Sequence, residues 1–209
     1  MRLIDTHSHL FLEEFSEDLP QVIERARSAG VTHIFMPNID STTIDSMLSV
    51  CNTYNDYCFP MIGLHPTSVN ADYEKELEIV ARELRSFNKY IAIGEVGMDL
   101  YWDKTFLKEQ QIVLDKQINW ALEYDLPVVI HCRDAFGYIY NVLEPYKNTS
   151  LKGVFHSFTG TQEEAFRIME FPGFLIGING VVTFKKSTLP EVLKSIPLER
   201  VVLETDSPY

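Results

Sequence analysis

Cysteine is scarce in this chain, with three among 209 residues. Cys51, Cys58 and Cys132 are odd in number and show no CxxC spacing, so a disulfide framework and a zinc ribbon are both excluded as the basis of the fold. A chain of this length that is 45% hydrophobic can bury a sizeable core without either. We therefore expect three packing cysteines in a protein from a reducing compartment.

Long apolar runs are also missing. No stretch approaches the roughly 18 residues that a membrane-spanning helix needs, and the first ten residues, MRLIDTHSHL, lack the basic start and apolar stretch of a signal peptide. Neither a linker nor an internal repeat divides the sequence. These observations predict a cytoplasmic protein without a membrane partner, folded as one domain over residues 1–209.

Positive charge is the third shortage, because 18 Lys and Arg face 30 Asp and Glu, giving a formal net charge of −12. Proteins that grip nucleic acid mainly through phosphate contacts usually carry a basic surface, so that class is disfavoured. If the substrate is nevertheless a polyanion, something other than lysine must neutralise it. Bound divalent cations are the natural candidate.

Short β-rich runs alternate with stretches of helical period along the chain, which predicts βα units and a parallel sheet. Eight strands are expected at 2–7, 31–37, 59–64, 90–95, 127–131, 152–156, 173–178 and 200–205. Seven helices are expected at 17–29, 42–54, 73–87, 107–124, 135–143, 162–170 and 188–196. This is an α/β pattern of the TIM (β/α)8 barrel, apparently lacking the helix after strand eight.

Polar residues collect at the ends of these predicted strands, where barrel enzymes carry their active sites. Strand ends hold five of the six histidines, together with several carboxylates. Residues two apart on a strand share a face, so His7 and His9 are both expected to enter the barrel mouth. The same parity pairs Arg133 with His131 and Glu204 with Asp206. The candidate metal ligands are His7, His9, Glu95, His131, His156 and Asp206.

Imidazole with carboxylate suits Zn²⁺, Mn²⁺, Fe²⁺ or Co²⁺, whereas Mg²⁺ prefers a larger share of oxygen ligands. Six ligands are too many for one tetrahedral ion. Two ions about 3.5 to 4 Å apart, bridged by a carboxylate and a hydroxide, would use them all, and Glu95 is the best bridging candidate. The cofactor prediction is two divalent ions, with Mg²⁺, Mn²⁺ and Zn²⁺ left open.

Three further residues near these strand ends carry alternatives. His65, followed by Pro66, is a rigid turn residue, a metal neighbour or a phosphate donor, and the donor role is slightly favoured. Arg133 is a structural partner of Asp134 or a planar fork for a phosphate. Asp99 either holds its own loop or touches the site. His65 and Arg133 are therefore the candidate substrate-binding residues.

Six ordered motifs span almost the whole chain, and together they are specific. They read DTHSHL at 5–10, GLHP at 63–66, GEVGMDLYW at 94–102, PVVIHCRDA at 127–135, GVFHSFTG at 153–160 and LETDSPY at 203–209. With these motifs the sequence resembles the TatD-type metal-dependent deoxyribonucleases of the amidohydrolase superfamily.

The resemblance implies a hydrolase that cleaves phosphodiester bonds of DNA, often as a 3′ to 5′ exonuclease on single strands. It implies that His7 and His9 with Asp206 hold one metal, that His131 and His156 hold the second, and that Glu95 bridges them. His65 and Arg133 would lie near the scissile phosphate. Asp206 and Glu95 are then the catalytic candidates, with Asp206 accepting a proton from the attacking water.

Other readings remain open at the level of sequence. The same metals could cleave a small amide, lactone or phosphate ester, because a fold does not fix a substrate. A metal-binding scaffold without activity is a third reading. In the family further barrel sequence normally follows DSPY, so the chain is expected either to be truncated or to associate through apolar residues on the outer face of strand eight, Val201 and Leu203.

Overall fold

The eight expected strands are all present and run parallel. The structure, a computed structural model, describes residues 2–86 and 89–209. The strands are β1 (Leu3–Asp5), β2 (Val31–Pro37), β3 (Cys58–Met61), β4 (Ile93–Asp99), β5 (Val128–Arg133), β6 (Gly153–Phe155), β7 (Phe174–Ile178) and β8 (Val201–Leu203). The helices between them are α1 (Leu19–Ser28), α2 (Ile44–Thr53), α3 (Tyr73–Ser86), α4 (Leu107–Glu123), α5 (Phe136–Leu143), α6 (Gln162–Met169) and α7 (Leu189–Leu193).

Two hydrogen-bonded seams close the strands into a barrel. The ladders order β1 to β3 and β4 to β8, and a parallel bridge between Ile62 and Ile93 joins β3 to β4. Ser8 and Ser207 form the second bridge, beside the hydrogen bond that Asp206 N donates to His7 O at 2.9 Å. The expected α/β TIM barrel is confirmed, and no helix follows β8 within residues 89–209.

The helices cover the barrel through apolar stripes of helical period. In α3 the buried positions are Leu77, Val80 and Leu84. In α4 they recur every three or four residues over three turns and include Gln117, whose amide bonds both backbone groups of Leu64 on the adjoining strand end. The helices and the strand faces that they cover share one large core, while Met61, Ala92 and Val129 form a second, smaller cluster with Phe35 and Ile91.

Several predicted boundaries are wrong by a few residues. The strand expected at 90–95 runs on to Asp99, because Val96 to Asp99 continue the ladder with β5. The strands expected at 2–7 and 200–205 leave their ladders at Asp5 and Leu203. Beyond those points the Asp5 carboxylate accepts hydrogen bonds from Thr205 N at 2.9 Å and Thr205 Oγ1 at 2.7 Å, so a side chain continues the closure.

The helices differ less from expectation. The last residue of the helix expected at 73–87 lies outside the described residues. The helix expected at 188–196 ends at Leu193 because the following turns tighten to i→i+3 bonds, such as Ser195 N to Val192 O at 3.0 Å. In residues 2–86 and 89–209 there are five short 3₁₀ helices, among them Pro66–Ser68 and Gly180–Thr183, that the sequence does not predict.

The scarce cysteines are free, with Cys51 and Cys58 buried and Cys132 partly buried. On the outer face of β8, Leu203 is 55% exposed while Val201 packs partly buried against the core. Among the described helices, none combines the length and apolar character needed to cross a membrane.

Candidate metal centre at the barrel mouth

Glu95 lies at the centre of a ring of imidazoles. It is 2% exposed, and its Oε2 lies 3.1 Å from His7 Nε2. Its Oε1 lies 2.8 Å from His156 Nε2 and 3.0 Å from His131 Nδ1. His65 Nε2 is also within reach, at 3.3 Å from the same oxygen. One carboxylate thus faces nitrogen atoms from four different strand ends.

The side chains at the β1 and β8 ends form one half of the cluster. His7 and His9 are both buried, as strand parity predicted, and their Nε2 atoms are 3.2 Å apart. Asp206 Oδ1 lies 3.6 Å from His7 Nε2 and 3.8 Å from His9 Nε2. Its side chain is 16% exposed, so Asp206 forms the outer wall of this half.

The side chains at the β5 and β6 ends form the other half, and each histidine has a carboxylate behind it. His131 Nε2 lies 3.0 Å from Asp99 Oδ2, and His156 Nδ1 lies 3.6 Å from Glu204 Oε1. Carboxylates in such positions fix the orientation of a ligating ring. Asp99 therefore touches the site rather than only holding its own loop.

The pKa values in the cluster reflect burial and these close contacts. Burial alone would raise the pKa of Glu95, but the imidazoles of His156, His65 and His7 bring it well below its usual range. Burial, with His7 nearby, lowers the pKa of His9 to about 3. Glu95 is therefore an anion and His9 a neutral ring near pH 7, which are the forms that ligate metal ions.

The two histidines next to carboxylates, His131 and His156, have raised pKa values, in contrast to His9. Burial would lower the pKa of His156, but Glu95 and Glu204 raise it well above its usual value. The pKa of His131 is raised against the effect of burial by Asp99 and Glu95. For Asp206, burial raises the pKa although His156 and His7 act against it.

The donor set fits divalent cations. The 3.2 Å between the Nε2 atoms of His7 and His9 is close to the separation of two nitrogens that each lie about 2.0 to 2.1 Å from one tetrahedral ion. Potential ligand atoms lie within 4.8 Å of one another in three overlapping sets. The sets are His7 with His9 and Glu95, His7 with His156 and Asp206, and His65 with Glu95 and His131. The buried cluster is consistent with a binuclear metal site.

The backbone beside the cluster departs from regular strand geometry. The β4–β5 register shifts between Ile93 and Val96, and the Gly94–Glu95 peptide is cis. Asp206 and Ser157 occupy the left-handed region, with φ of 58° and 46°. At Gly97, with φ of 143°, an added Cβ would overlap the carbonyl oxygen of His131, so only glycine allows β4 to approach β5 this closely.

The two candidate substrate-binding residues line the cavity above the cluster, which has a volume of about 600 Å³. His65 Nδ1 contacts Thr67 Oγ1 at 2.6 Å while its Nε2 faces Glu95, so it has the geometry of a metal neighbour as well as of a donor. Arg133 makes no ion pair within the described ranges, and its guanidinium instead packs on Tyr101, 4.0 Å from the ring centre. The alternative of an ion pair with Asp134 is wrong.

The sequence reading missed two features of the site. Strand parity puts Glu204 on the same face as Asp206 but does not predict its hydrogen-bond partner. In the structure the Glu204 carboxylate accepts a hydrogen bond from Ser157 N. The sequence assigns no role to Asp5, the first residue of DTHSHL, although its carboxylate accepts hydrogen bonds from Thr205 and so joins the β8 end to β1. In both cases the signal was a carboxylate at a predicted strand end, the same signal that identified Glu95 and Asp206.

Comparisons with known proteins agree with this geometry. The family model described as TatD related DNase matches residues 4–209. An uncharacterised metal-dependent hydrolase of Bacillus subtilis, YabD, is 38% identical over 99% of this chain and 80% of its own length. A protein of Pantoea ananatis named as a 3′-5′ ssDNA/RNA exonuclease, TatD, is 32% identical over the same shares.

A solved structure gives the same result. The crystal structure of YjjV, a TatD homologue from Escherichia coli K12, superposes with a TM-score of 0.89 at 33% identity, covering 99% of this chain and 80% of that one. A cluster of histidines surrounds one buried glutamate at the mouth of this barrel. Because the family model matches residues 4–209 and relatives above 30% identity carry the same name, the chain belongs to the TatD family of metal-dependent hydrolases.

Proposed function

We propose that this protein hydrolyses phosphodiester bonds of DNA and acts as a 3′ to 5′ exodeoxyribonuclease on single strands. The observation that carries the proposal is the set of nitrogen and carboxylate ligands around Glu95, which opens directly into a cavity of about 600 Å³. Relatives that are 31% to 32% identical bear the name 3′-5′ ssDNA/RNA exonuclease, which supports the same substrate class.

In this proposal His7 and His9 with Asp206 would hold one divalent cation, His131 and His156 would hold a second, and Glu95 would contribute to both sites. Bound there, a cation pair supplies an activated water and charge neutralisation for the attacking and leaving oxygens of a phosphodiester. Glu95 suits the shared position because both of its oxygens are within 3.1 Å of a histidine nitrogen. The identity of the cations, Mg²⁺, Mn²⁺ or Zn²⁺, is left to experiment.

The remaining roles belong to residues that border the cavity. Asp206 is the most accessible of the cluster carboxylates and accepts a proton from the attacking water. Arg133 and His65 line the same cavity and donate hydrogen bonds to the phosphate oxygens. With a net charge of −12, the protein holds a polyanion chiefly through the bound cations, so its affinity for DNA away from this site is low.

The test is digestion of a 5′-labelled single-stranded oligonucleotide with Mg²⁺ or Mn²⁺. A descending ladder that starts at the 3′ end is expected. Glu95→Gln should lower the rate by at least about 100-fold, because even residues behind metal ligands cost 10- to 100-fold. His33→Gln is the matched control, since His33 stacks on Phe59 away from the cluster.

A contrary result is equally clear. If no nucleotide is released from DNA while a small amide, lactone or phosphate ester is turned over with the same metals, the nuclease proposal fails. The chain would then be a two-metal amidohydrolase-type enzyme. A Glu95→Gln protein as active as its parent would remove the metal centre from the reaction altogether.

A further inference from the structure

Two exposed aromatic rings that follow β4 meet an arginine at the end of β5. Tyr101 is 54% exposed and Trp102 71% exposed, and their rings meet at 89° with centres 4.9 Å apart. The Arg133 guanidinium lies over both rings, 4.0 Å from the centre of Tyr101 and 5.2 Å from that of Trp102. We call Tyr101, Trp102 and Arg133 the aromatic corner.

The aromatic corner borders the metal centre. Trp102 and Arg133 line the same cavity as Glu95 and His131. A core-packing role does not explain rings that are more than half exposed, because burial is what makes an aromatic side chain stabilising. Two adjacent exposed rings, one of which lines the cavity at the metal centre, favour a binding role instead.

The corner is held in a fixed position relative to the cluster. Asp99 Oδ1 accepts a hydrogen bond from Tyr101 N at 3.0 Å, and Asp99 Oδ2 lies 3.0 Å from His131 Nε2. The backbone of Asp99 is itself fixed by Gln110, whose side chain bonds both its N–H and its carbonyl oxygen. One carboxylate thus connects the aromatic loop to a candidate metal ligand.

The chemistry of the corner matches a nucleobase rather than a phosphate alone. Planar aromatic and guanidinium faces stack on bases of any sequence, while the edge of the guanidinium keeps N–H groups that can donate to phosphate oxygens. In the part of the chain that the structure describes, no carboxylate pairs with Arg133. Its charge is therefore available to a substrate.

We propose that the aromatic corner is a base-stacking subsite, in which Trp102 takes an unpaired nucleobase of the strand whose phosphodiester lies at the metal centre. The proposal rests on the proposed nuclease function and adds its specificity. An unpaired base exposes its face to the ring of Trp102, whereas a base within a duplex is covered by its neighbours. The corner thereby selects single strands.

Binding can be measured without turnover. The chain has two tryptophans, so Trp120→Phe leaves Trp102 as the only one, and phosphorothioate linkages in the oligonucleotides slow hydrolysis while every candidate metal ligand is kept. Titration with oligothymidylate in Mn²⁺ should quench the fluorescence of Trp102 in a saturable way. An abasic oligonucleotide of the same length and charge should leave it unquenched. Equal quenching by both strands, or none by either, would overturn the proposal.

Activity provides a second readout. The unaltered enzyme should prefer a strand with normal 3′-terminal bases to one with abasic 3′-terminal nucleotides. We expect kcat/KM to differ by roughly 5- to 150-fold, because that factor corresponds to the usual effect of one stacked base. Trp102→Ala should remove that preference and Trp102→Phe should restore part of it. Phe166→Ala, which removes a half-exposed ring outside the cavity, should leave the preference intact.

The outcomes separate the two proposals. If the unaltered enzyme releases nothing from any strand, the nuclease function fails, and with it the subsite. If it degrades normal and abasic strands at equal rates, the nuclease function stands and the base-stacking subsite is wrong.

Discussion

Glu204 illustrates how single residues behind the cluster control it. Its carboxylate is completely buried, accepts a short hydrogen bond from Ser157 N and lies 3.6 Å from His156 Nδ1. Gly177 makes room for it, because a Cβ at that position would collide with the carboxylate. Glu204 therefore places a buried negative charge beside the His156 ring, whose other nitrogen lies 2.8 Å from Glu95 Oε1.

Replacing Glu204 should weaken metal binding. In Glu204→Gln an amide nitrogen replaces one carboxylate oxygen, so the negative charge beside His156 is lost. We expect the affinity for Mn²⁺ or Zn²⁺ to fall about 10- to 100-fold, measured by isothermal titration calorimetry. Glu199→Gln, the same change on an exposed turn, should bind as tightly as the parent. An unchanged affinity in Glu204→Gln would show that His156 needs no support.

At the residue scale, the sequence predicted positions better than partners. Strand parity correctly sent His7 and His9 into one mouth, since the period of a strand is a local property. The contact of Asp99 with His131 was undecided, because it depends on how two strands are aligned. Register between β4 and β5 includes a shift next to Glu95 that no local pattern reveals.

At the scale of elements, β4 is the strand on which the site depends most. All seven of its residues are buried, and it carries Glu95 in its interior and Asp99 at its end. The close approach to β5 at Gly97 sets the distance between Glu95 and His131. A side chain at Gly97 would have to push the two strands apart at that point.

Gly97→Ala should therefore damage both stability and activity. The added methyl group would meet the backbone of His131 rather than a flexible side chain, and the φ of 143° at Gly97 is unfavourable for alanine. We therefore expect the free energy of unfolding to fall by at least about 2 kcal/mol. Urea denaturation measures it. Gly137→Ala is the matched control, because nothing lies within 4 Å of the added Cβ and alanine favours the helix. Equal stability of the two variants would contradict this account.

The elements themselves were largely predictable, and their ends were not. Apolar residues at every third or fourth position identified α3 and α4, because that period reflects one buried face. The sequence predicts an end of β4 that is too early, because Glu95 has the polarity of a strand terminus, whereas the strand buries it among histidines. The 3₁₀ turns escaped prediction because each is only three or four residues long.

For the whole molecule, closure of the barrel brings candidate metal ligands from the two ends of the chain together. His7 and His9 follow β1, Asp206 follows β8, and the two ends are joined by the hydrogen bond from Asp206 N to His7 O. A ligand set that exists only when the first and last strands meet is absent from the unfolded chain. Metal bound to that set stabilises the folded state by mass action.

Metal should accordingly raise the melting temperature, and the rise should depend on the cluster. At a free Mn²⁺ or Zn²⁺ concentration 100 times its Kd, the stabilisation is about 2.7 kcal/mol, which corresponds to roughly 5 to 10 °C for a domain of this size. Differential scanning fluorimetry with and without a chelator measures the shift. His9→Gln should lose most of it because one ligand is gone, whereas His33→Gln should retain it in full, since His33 lies on β2 outside the cluster. A shift of equal size in both variants would mean that the ions stabilise the protein by screening its net charge of −12 rather than by binding between β1 and β8.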